Sequence, residues 1–249
     1  MQFLEKIFQS INSQVLPSAC IACERYQHYS LCAHCLQSLN LNGLFNYECC
    51  FQCGIALNAA ELKEQRCAQC NLQPPYFDET YCLDRYEGIL QHAIHQLKYQ
   101  KRLAYAHGLA NTWNHLFSKQ LQDIKASYLL PVPLSTQKLS ARGFNQSWEI
   151  ARRITCNSVV RKLPHALKRH HHAHQQAGGR LATRHCATTG MFYLDNHFIT
   201  ALRGQSIIIF DDVMTSGATL NEIARVLKDN GASHITNWVL LRTTKLLHV

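Results

Sequence analysis

Eight cysteines fall into four Cys-x-x-Cys pairs within one short stretch: Cys20/Cys23, Cys32/Cys35, Cys50/Cys53 and Cys67/Cys70. So many thiols at a fixed spacing leave two readings, a disulfide framework or metal sites. The chain begins Met-Gln-Phe-Leu-Glu-Lys, and the charges at Glu5 and Lys6 interrupt any apolar run of export-signal length. The expectation is therefore a reducing, cytoplasmic setting, where metal is favoured over disulfide. Each Cys-x-x-Cys turn presents two thiolates, and two turns complete a tetrahedral, four-cysteine structural zinc site. Sequential pairing assigns Cys20, Cys23, Cys32 and Cys35 to one Zn2+ and Cys50, Cys53, Cys67 and Cys70 to a second. Interleaved pairing needs longer loops and stays open at this point. Gly54, directly after Cys53, suits the positive φ that often follows such a turn. Cys49 can replace Cys50 only by spoiling the two-residue spacing. A structural zinc contributes on the order of 10 kcal/mol to folding, so this module is expected to unfold without metal. Cys82, Cys156 and Cys186 read as small buried hydrophobes.

The second constraint lies near the other end of the chain, in Ile-Ile-Ile-Phe-Asp-Asp-Val-Met-Thr-Ser-Gly-Ala-Thr-Leu at 207–220. Four apolar residues, Ile207 to Phe210, read as a strand buried on both faces and ending at Asp211 and Asp212. Ligands of open α/β sheets bind at the carboxyl ends of strands. The residues that follow, Thr215, Ser216, Gly217, Ala218 and Thr219, are small and hydroxylated, and a helix is expected from about Leu220. Backbone N–H groups of such a turn and of the helix start suit a phosphate, which Gly217 lets approach closely. Carboxylates beside a phosphate need a reason, and a pentose supplies one, because its vicinal hydroxyls donate to acids while its 5-phosphate lies in the turn. Asp211, Asp212, Val213, Met214 and Thr215 to Thr219 are thus the candidate site for a ribose 5-phosphate.

At 249 residues and 47% hydrophobic content the chain suits one α/β domain plus a small metal-stapled module. The expected division is an amphipathic helix over 1–16, a double zinc ribbon over 17–73, and the α/β domain over 79–249. Residues 1–16 carry Phe3, Leu4, Ile7, Phe8, Ile11 and Val15 on one face. No apolar window is long enough for a transmembrane helix. The formal charge of +9 falls to about +5 once eight thiolates hold two zinc ions, and clusters such as Lys98/Lys101/Arg102 leave a basic bias suited to an anionic partner. The paired prolines Pro74-Pro75 mark a linker over 71–78. Beyond it, strands are expected at 80–86, 128–132, 159–163 and 235–241. Helices are expected at 88–97, 102–121, 145–154 and 221–230, the last closed by Gly231. Strands alternating with helices predict a parallel sheet. The histidine-rich tract His170 to His174 reads as a solvated loop.

The 207–220 stretch resembles the phosphoribosyl pyrophosphate motif of type I phosphoribosyltransferases. Together with the cysteine pairs, Leu-Lys-Tyr at 97–99, Val-Pro-Leu at 132–134 and Arg-Gly-Phe-Asn-Gln at 142–146, the chain resembles the ComF family of competence proteins. That resemblance implies a type I phosphoribosyltransferase-like parallel sheet behind an N-terminal double zinc ribbon built from two four-cysteine sites. It implies pyrophosphate binding near the 132–134 turn with Lys98 and Arg142 as partners for its charge, and Mg2+ bound with phosphoribosyl pyrophosphate. A hood over the ligand is implied for 165–189, where Gln176, Arg184 and Gly190-Met191-Phe192 match relatives, whereas Ala173, Gly179 and Ala187 replace an expected threonine, leucine and asparagine. Three functions follow from the resemblance: a phosphoribosyl pyrophosphate-binding protein that handles incoming single-stranded DNA, an active phosphoribosyltransferase acting on a base or amine, or a zinc-ribbon adaptor docking a helicase or recombination mediator. Tyr26, Tyr29, Tyr47, Phe51, Tyr76 and Phe77 are the aromatics available for stacking on bases or for filling a small core.

Overall fold

The computed structural model describes residues 18–170 and 189–244. The segment 1–16, most of the histidine tract, Cys186 and the hood positions 173, 176, 179, 184 and 187 lie outside the described residues.

The amino-terminal region opens with a two-stranded hairpin, β1 (Ser18–Ala19) and β2 (Tyr26–Gln27), followed by α1 (Ala33–Asn42), a 3-10 turn (Leu44–Asn46) and α2 (Ala68–Leu72). The α/β part then runs β3 (Glu79–Arg85), α3 (Gln91–Tyr99), α4 (Ala104–Leu116), α5 (Ser118–Gln122), β4 (Tyr128–Pro131), α6 (Thr136–Arg142), α7 (Gln146–Ala151) and β5 (Arg161–Lys162). A second hairpin, β6 (Leu167–Arg169) with β7 (Phe192–Leu194), precedes α8 (Asn196–Leu202), β8 (Ser206–Met214), α9 (Ala218–Asp229) and β9 (His234–Arg242). Five strands form one sheet in the order β3-β9-β8-β4-β5, with every pairing parallel. This is the parallel α/β fold that the alternation of elements implies.

Strand periodicity divides the core in two. Ile208 and Phe210 of β8 face a layer that contains Leu97, Leu109, Trp113 and Ile150, on α3, α4 and α7. Ile207 and Ile209 face the opposite layer, which contains Leu220, Ile223 and Leu227 of α9 and Phe192 and Leu194 of β7. All four β8 residues are fully buried, as a strand covered on both faces requires. The two cysteine quartets join opposite layers: Cys20, Cys32 and Cys35 pack with the first, and Cys50, Cys53, Cys67 and Cys70 with the second.

Several elements depart from expectation for local physical reasons. The helix expected over 102–121 is divided between α4 and α5 at Phe117, whose backbone (φ −103°, ψ 20°) leaves the helical range while its ring packs on Trp113 and Phe45. The strand at 159–163 shrinks to two residues at the sheet's edge, where only one neighbour supplies hydrogen bonds. α6 lies in the stretch after Pro133, for which the sequence pattern predicts no element. It begins at the N-cap Ser135, whose hydroxyl accepts from the Lys138 amide. The ends of the expected hood are the paired strands β6 and β7.

Candidate functional site

β4 connects outward to the edge strand β5, whereas β8 connects to β9 on the other side. The chain therefore reverses its winding between β4 and β8, and the crevice at their carboxyl ends is the switch point where open α/β sheets bind ligands. β4 ends at Pro131, opposite Phe210. β8 does not stop there, as the apolar run suggests, but continues to Met214 because β9 keeps pairing with it as far as Arg242. Asp211 and Asp212 consequently sit on the part of β8 that overhangs β4.

After the overhang comes the turn of Thr215 and Ser216, both exposed, and then Gly217 with φ +79° at the N-cap of α9. A left-handed backbone here favours glycine, and a Cβ would also come within 2.6 Å of the Met214 methyl group. Gly217 has no side chain with which to cap α9, and the first amide of the helix, that of Ala218, donates to Ser216 Oγ at 3.4 Å. Val213 is half-buried, Met214 and Ala218 are buried, and Thr219 is half-buried. The candidate residues of 211–219 thus form one contiguous edge, with the acids on the strand and the hydroxyls on the turn.

The Arg-Gly-Phe-Asn-Gln stretch supports this edge from the β4 side. Asn145 caps α7 by accepting from the Ser147 and Trp148 amides, and its side-chain NH2 donates to the Val132 carbonyl at 2.9 Å. The cap fixes the start of α7 so that Gln146 Nε2 donates to Asp212 Oδ1 at 3.1 Å and Ser147 Oγ donates to Asp211 Oδ1 at 3.2 Å. Sequence reasoning assigns neither Gln146 nor Ser147 a part in the acid pair. An Asn placed to cap a helix beside a two-acid strand is the signal that points to them. Arg142 donates to the Gln146 side-chain oxygen, and Lys98, in the last turn of α3, forms an ion pair with Asp212. Both cations expected near pyrophosphate lie at the site, but each is engaged with a protein group.

The acids differ in charge. Burial and the neighbouring Asp212 charge push Asp211 up to about 8, against a smaller opposing effect of Lys98. Burial works against the Asp212 carboxylate too, but the Lys98 ammonium outweighs it and holds Asp212 below its ordinary value. Burial likewise opposes the Lys98 charge, and Asp212 overcomes it, so Lys98 is raised. Near neutral pH the edge therefore holds one proton on Asp211 and one charge pair. A cavity of about 660 Å³ between Trp113, Phe117, Ile208 and Trp238 lies at the opposite, amino-terminal ends of the strands and includes none of these residues.

The cysteines assemble sequentially, Cys20, Cys23, Cys32 and Cys35 in one group and Cys50, Cys53, Cys67 and Cys70 in the other, with ligand atoms within 4.8 Å of one another in each. The sulfur pairs Cys23–Cys32 and Cys53–Cys67 stand 3.8 and 3.6 Å apart. Sulfurs bound tetrahedrally at about 2.3 Å from zinc lie about 3.8 Å apart, so both sets fit the ion. The Cys35 amide donates to Cys32 Sγ, a contact that favours the thiolate a metal binds. Cys49 stays outside its quartet, with its thiol donating to the Leu44 carbonyl. Cys82 is buried as expected and Cys156 half-buried. Among the described residues, no helix is long and apolar enough to cross a membrane.

Sheet order, overhanging acids and glycine turn together define a type I phosphoribosyltransferase-like α/β protein with two amino-terminal cysteine quartets. No family model matches the chain. DNA utilization protein YhgH of Shigella flexneri is 27% identical over 245 residues, covering 92% of this chain and 98% of the relative. Competence protein F of Haemophilus influenzae is 26% identical over 236 residues, covering 90% and 96%. Competence protein ComFC of Bacillus subtilis is 27% identical over 159 residues, covering 64% and 62%. Relatives with these names, matched over most of the chain, support a ComF-family protein. Among solved structures, the allosteric regulatory enzyme of purine biosynthesis aligns with a TM-score of 0.34 at 15% identity, over 54% of this chain and 26% of its own. A hypoxanthine phosphoribosyltransferase from Staphylococcus aureus aligns with a TM-score of 0.31 at 13% identity, over 55% and 62%.

Proposed function

We propose that the crevice between β4 and β8 binds a ribose 5-phosphate of the phosphoribosyl pyrophosphate class, in a competence protein that handles single-stranded DNA in the cytoplasm. The observation that carries the first part is the position of Asp211 and Asp212 on the β8 overhang, one short turn before the glycine-headed start of α9. The acids accept from the ribose hydroxyls, and the amides and hydroxyls of Thr215 to Thr219 receive the 5-phosphate. Lys98 and Arg142 lie on the opposite wall, where a pyrophosphate competes with Asp212 and Gln146 for their donors. Magnesium bound with the ligand supplies further neutralisation of pyrophosphate charge. Calorimetry of phosphoribosyl pyrophosphate with magnesium tests the site: the Asp211→Asn/Asp212→Asn double variant is expected to lose binding, and unchanged affinity rejects the assignment. Release of pyrophosphate on offering bases and amines tells an active transferase from a binding protein.

A distinct observation favours the DNA part. Of the six aromatics available for stacking, Tyr26, Tyr29, Tyr47, Phe51 and Tyr76 are exposed, and only Phe77 is buried in the core. Arg66 lies over Phe51 and Arg85 over Tyr47. Exposed rings interleaved with cations suit single-stranded nucleic acid, and relatives carry the names DNA utilization protein and competence protein. Binding of short single strands is expected to weaken steeply with salt through counterion release, and salt-independent binding counts against this part. The adaptor reading is tested by whether a competence helicase or recombination mediator binds the cysteine-rich face in pull-down with the purified partner.

A further inference from the structure

We propose that Arg242 is a positioning residue through which the second cysteine quartet holds the β8–α9 turn in its ligand-ready shape. The inference rests on the reading of that turn as the phosphate-binding part of the site.

Arg242 is the last residue of β9 and is buried. Its Nε donates to the carbonyl of Cys53, a member of the second quartet, at 3.0 Å. Its Nη1 donates to the Met214 carbonyl at 3.1 Å and to the Thr215 carbonyl, which belong to the last residue of β8 and the first of the turn. The Thr243 carbonyl accepts from the same nitrogen at 3.0 Å. One rigid guanidinium therefore spans the cysteine knuckle and the turn, a geometry that a lysine's single ammonium does not reproduce.

A buried guanidinium ordinarily has an anion beside it. Among the described residues, no carboxylate lies within ion-pair distance of Arg242, and all its hydrogen-bond partners are neutral carbonyls. The Cys53 carbonyl brings Arg242 to the backbone of this knuckle, and a zinc ion held there by four thiolates would carry about two net negative charges. The quartet then fixes the arginine electrostatically, and the arginine fixes the carbonyls of residues 214 and 215. The knuckle is also bonded to the sheet independently. The Thr80 amide donates to the Phe51 carbonyl at 2.8 Å, the Thr80 hydroxyl donates to the Gln52 carbonyl, and Gly54 leaves room for Cys82. The first quartet has no corresponding link to the turn among the described residues: its neighbours Ile21, Glu24 and Ser30 meet α4, Glu24 also meets His92 of α3, and Asn42 at the end of α1 accepts from Arg85 of β3.

The test uses the full chain and reads two things: amide hydrogen exchange of residues 214–218 and calorimetric affinity for ribose 5-phosphate. Emptying the second quartet with Cys67→Ser/Cys70→Ser is expected to speed exchange at 214–218 and to weaken ribose 5-phosphate about tenfold. Arg242→Gln is expected to reproduce both effects, and combining it with the cysteine changes to add nothing further. Arg242→Lys, which keeps the charge without the fork, is expected to retain both zinc ions yet still speed exchange at 214–218. Cys32→Ser/Cys35→Ser, which empties the first quartet, is expected to leave that exchange unchanged. Wild-type exchange at 214–218 in Arg242→Lys, or additive effects in the combined variant, would overturn the proposal. If the wild-type chain binds no ribose 5-phosphate, the ligand reading fails, and the exchange measurements still decide the link.

Discussion

The two cysteine quartets have the same ligands at the same within-pair spacing, yet they do different structural work. The first sits on the helical layer, where Ile21 packs directly over Gly108 of α4 and Glu24 accepts from the Tyr105 hydroxyl and faces Arg102. The second is bonded to the sheet on the opposite layer, through Thr80 of β3 and Arg242 of β9. An identical metal motif can therefore be a peripheral clip in one place and part of a site's frame in another. What surrounds the knuckle decides which, and the Cys-x-x-Cys spacing does not.

The largest effect that sharpens this contrast comes from removing the metals separately. Zinc binding to such a quartet is worth on the order of 10 kcal/mol. Loss of the second quartet is expected to lower the cooperative unfolding midpoint of the whole α/β part. Loss of the first is expected to produce a separate, local transition in the amino-terminal hairpin and α1, and chemical denaturation with backbone exchange distinguishes the two. Equal effects from both quartets would break the comparison.

Next in size is the charge pair under the first layer. Lys98→Met leaves the buried Asp212 carboxylate without its cation, and breaking a buried pair in this way costs roughly 3–5 kcal/mol. Adding Asp212→Asn is expected to restore much of that loss, as read by urea unfolding. A full loss in the double variant would show that Lys98 packs rather than pairs.

The docking glycines come third. A Cβ at Gly108 would collide with the Ile21 side chain, and one at Gly54 would meet Cys82 Sγ at 3.0 Å on a backbone with φ +67°. Gly54→Ala combines contact with backbone strain and is expected to cost roughly 1–3 kcal/mol. Gly108→Ala gains helix propensity of about 1 kcal/mol against its clash, so it is expected to cost less. Thermal melts of the two variants rank the seats.

A pH dependence probes the acid pair itself. Asp211 is raised to about 8 by burial and by Asp212. The folded chain therefore holds a proton that the unfolded chain has released above about pH 4, and this group's contribution to stability declines as pH rises from there to about 8. Asp211→Asn removes the dependence, so it is expected to raise the melting temperature near the upper end of that interval and to change it little at the lower end. Magnesium-dependent ligand binding that needs the ionised acid is expected to strengthen over the same interval.

Much of this frame is legible in the sequence because it rests on local chemistry. The cysteine spacing identifies the four pairs, though the structure decides which pairs come together, and the apolar run with two acids identifies the central strand and the edge that follows it. What the sequence does not disclose depends on distant partners. β8 runs on to Met214 because β9 lies beside it, Lys98 meets Asp212 because α3 crosses the acid pair, and Arg242 reaches the turn from the last strand. The short helix α6 escapes a sequence reading because Pro133 signals a loop, while Ser135 already caps a new turn. Of the aromatics, Phe77 enters the core and the tyrosines do not, a distinction that composition alone cannot make.

The hairpin of β6 and β7 has a consequence for chain length. Its strands pair Leu167 with Leu194 and Arg169 with Phe192, so residues 167–169 and 192–194 are held side by side. Closing a longer loop costs only slightly more entropy. A change of chain length between the two strands therefore need not alter the register of the main sheet, which separate pairings set.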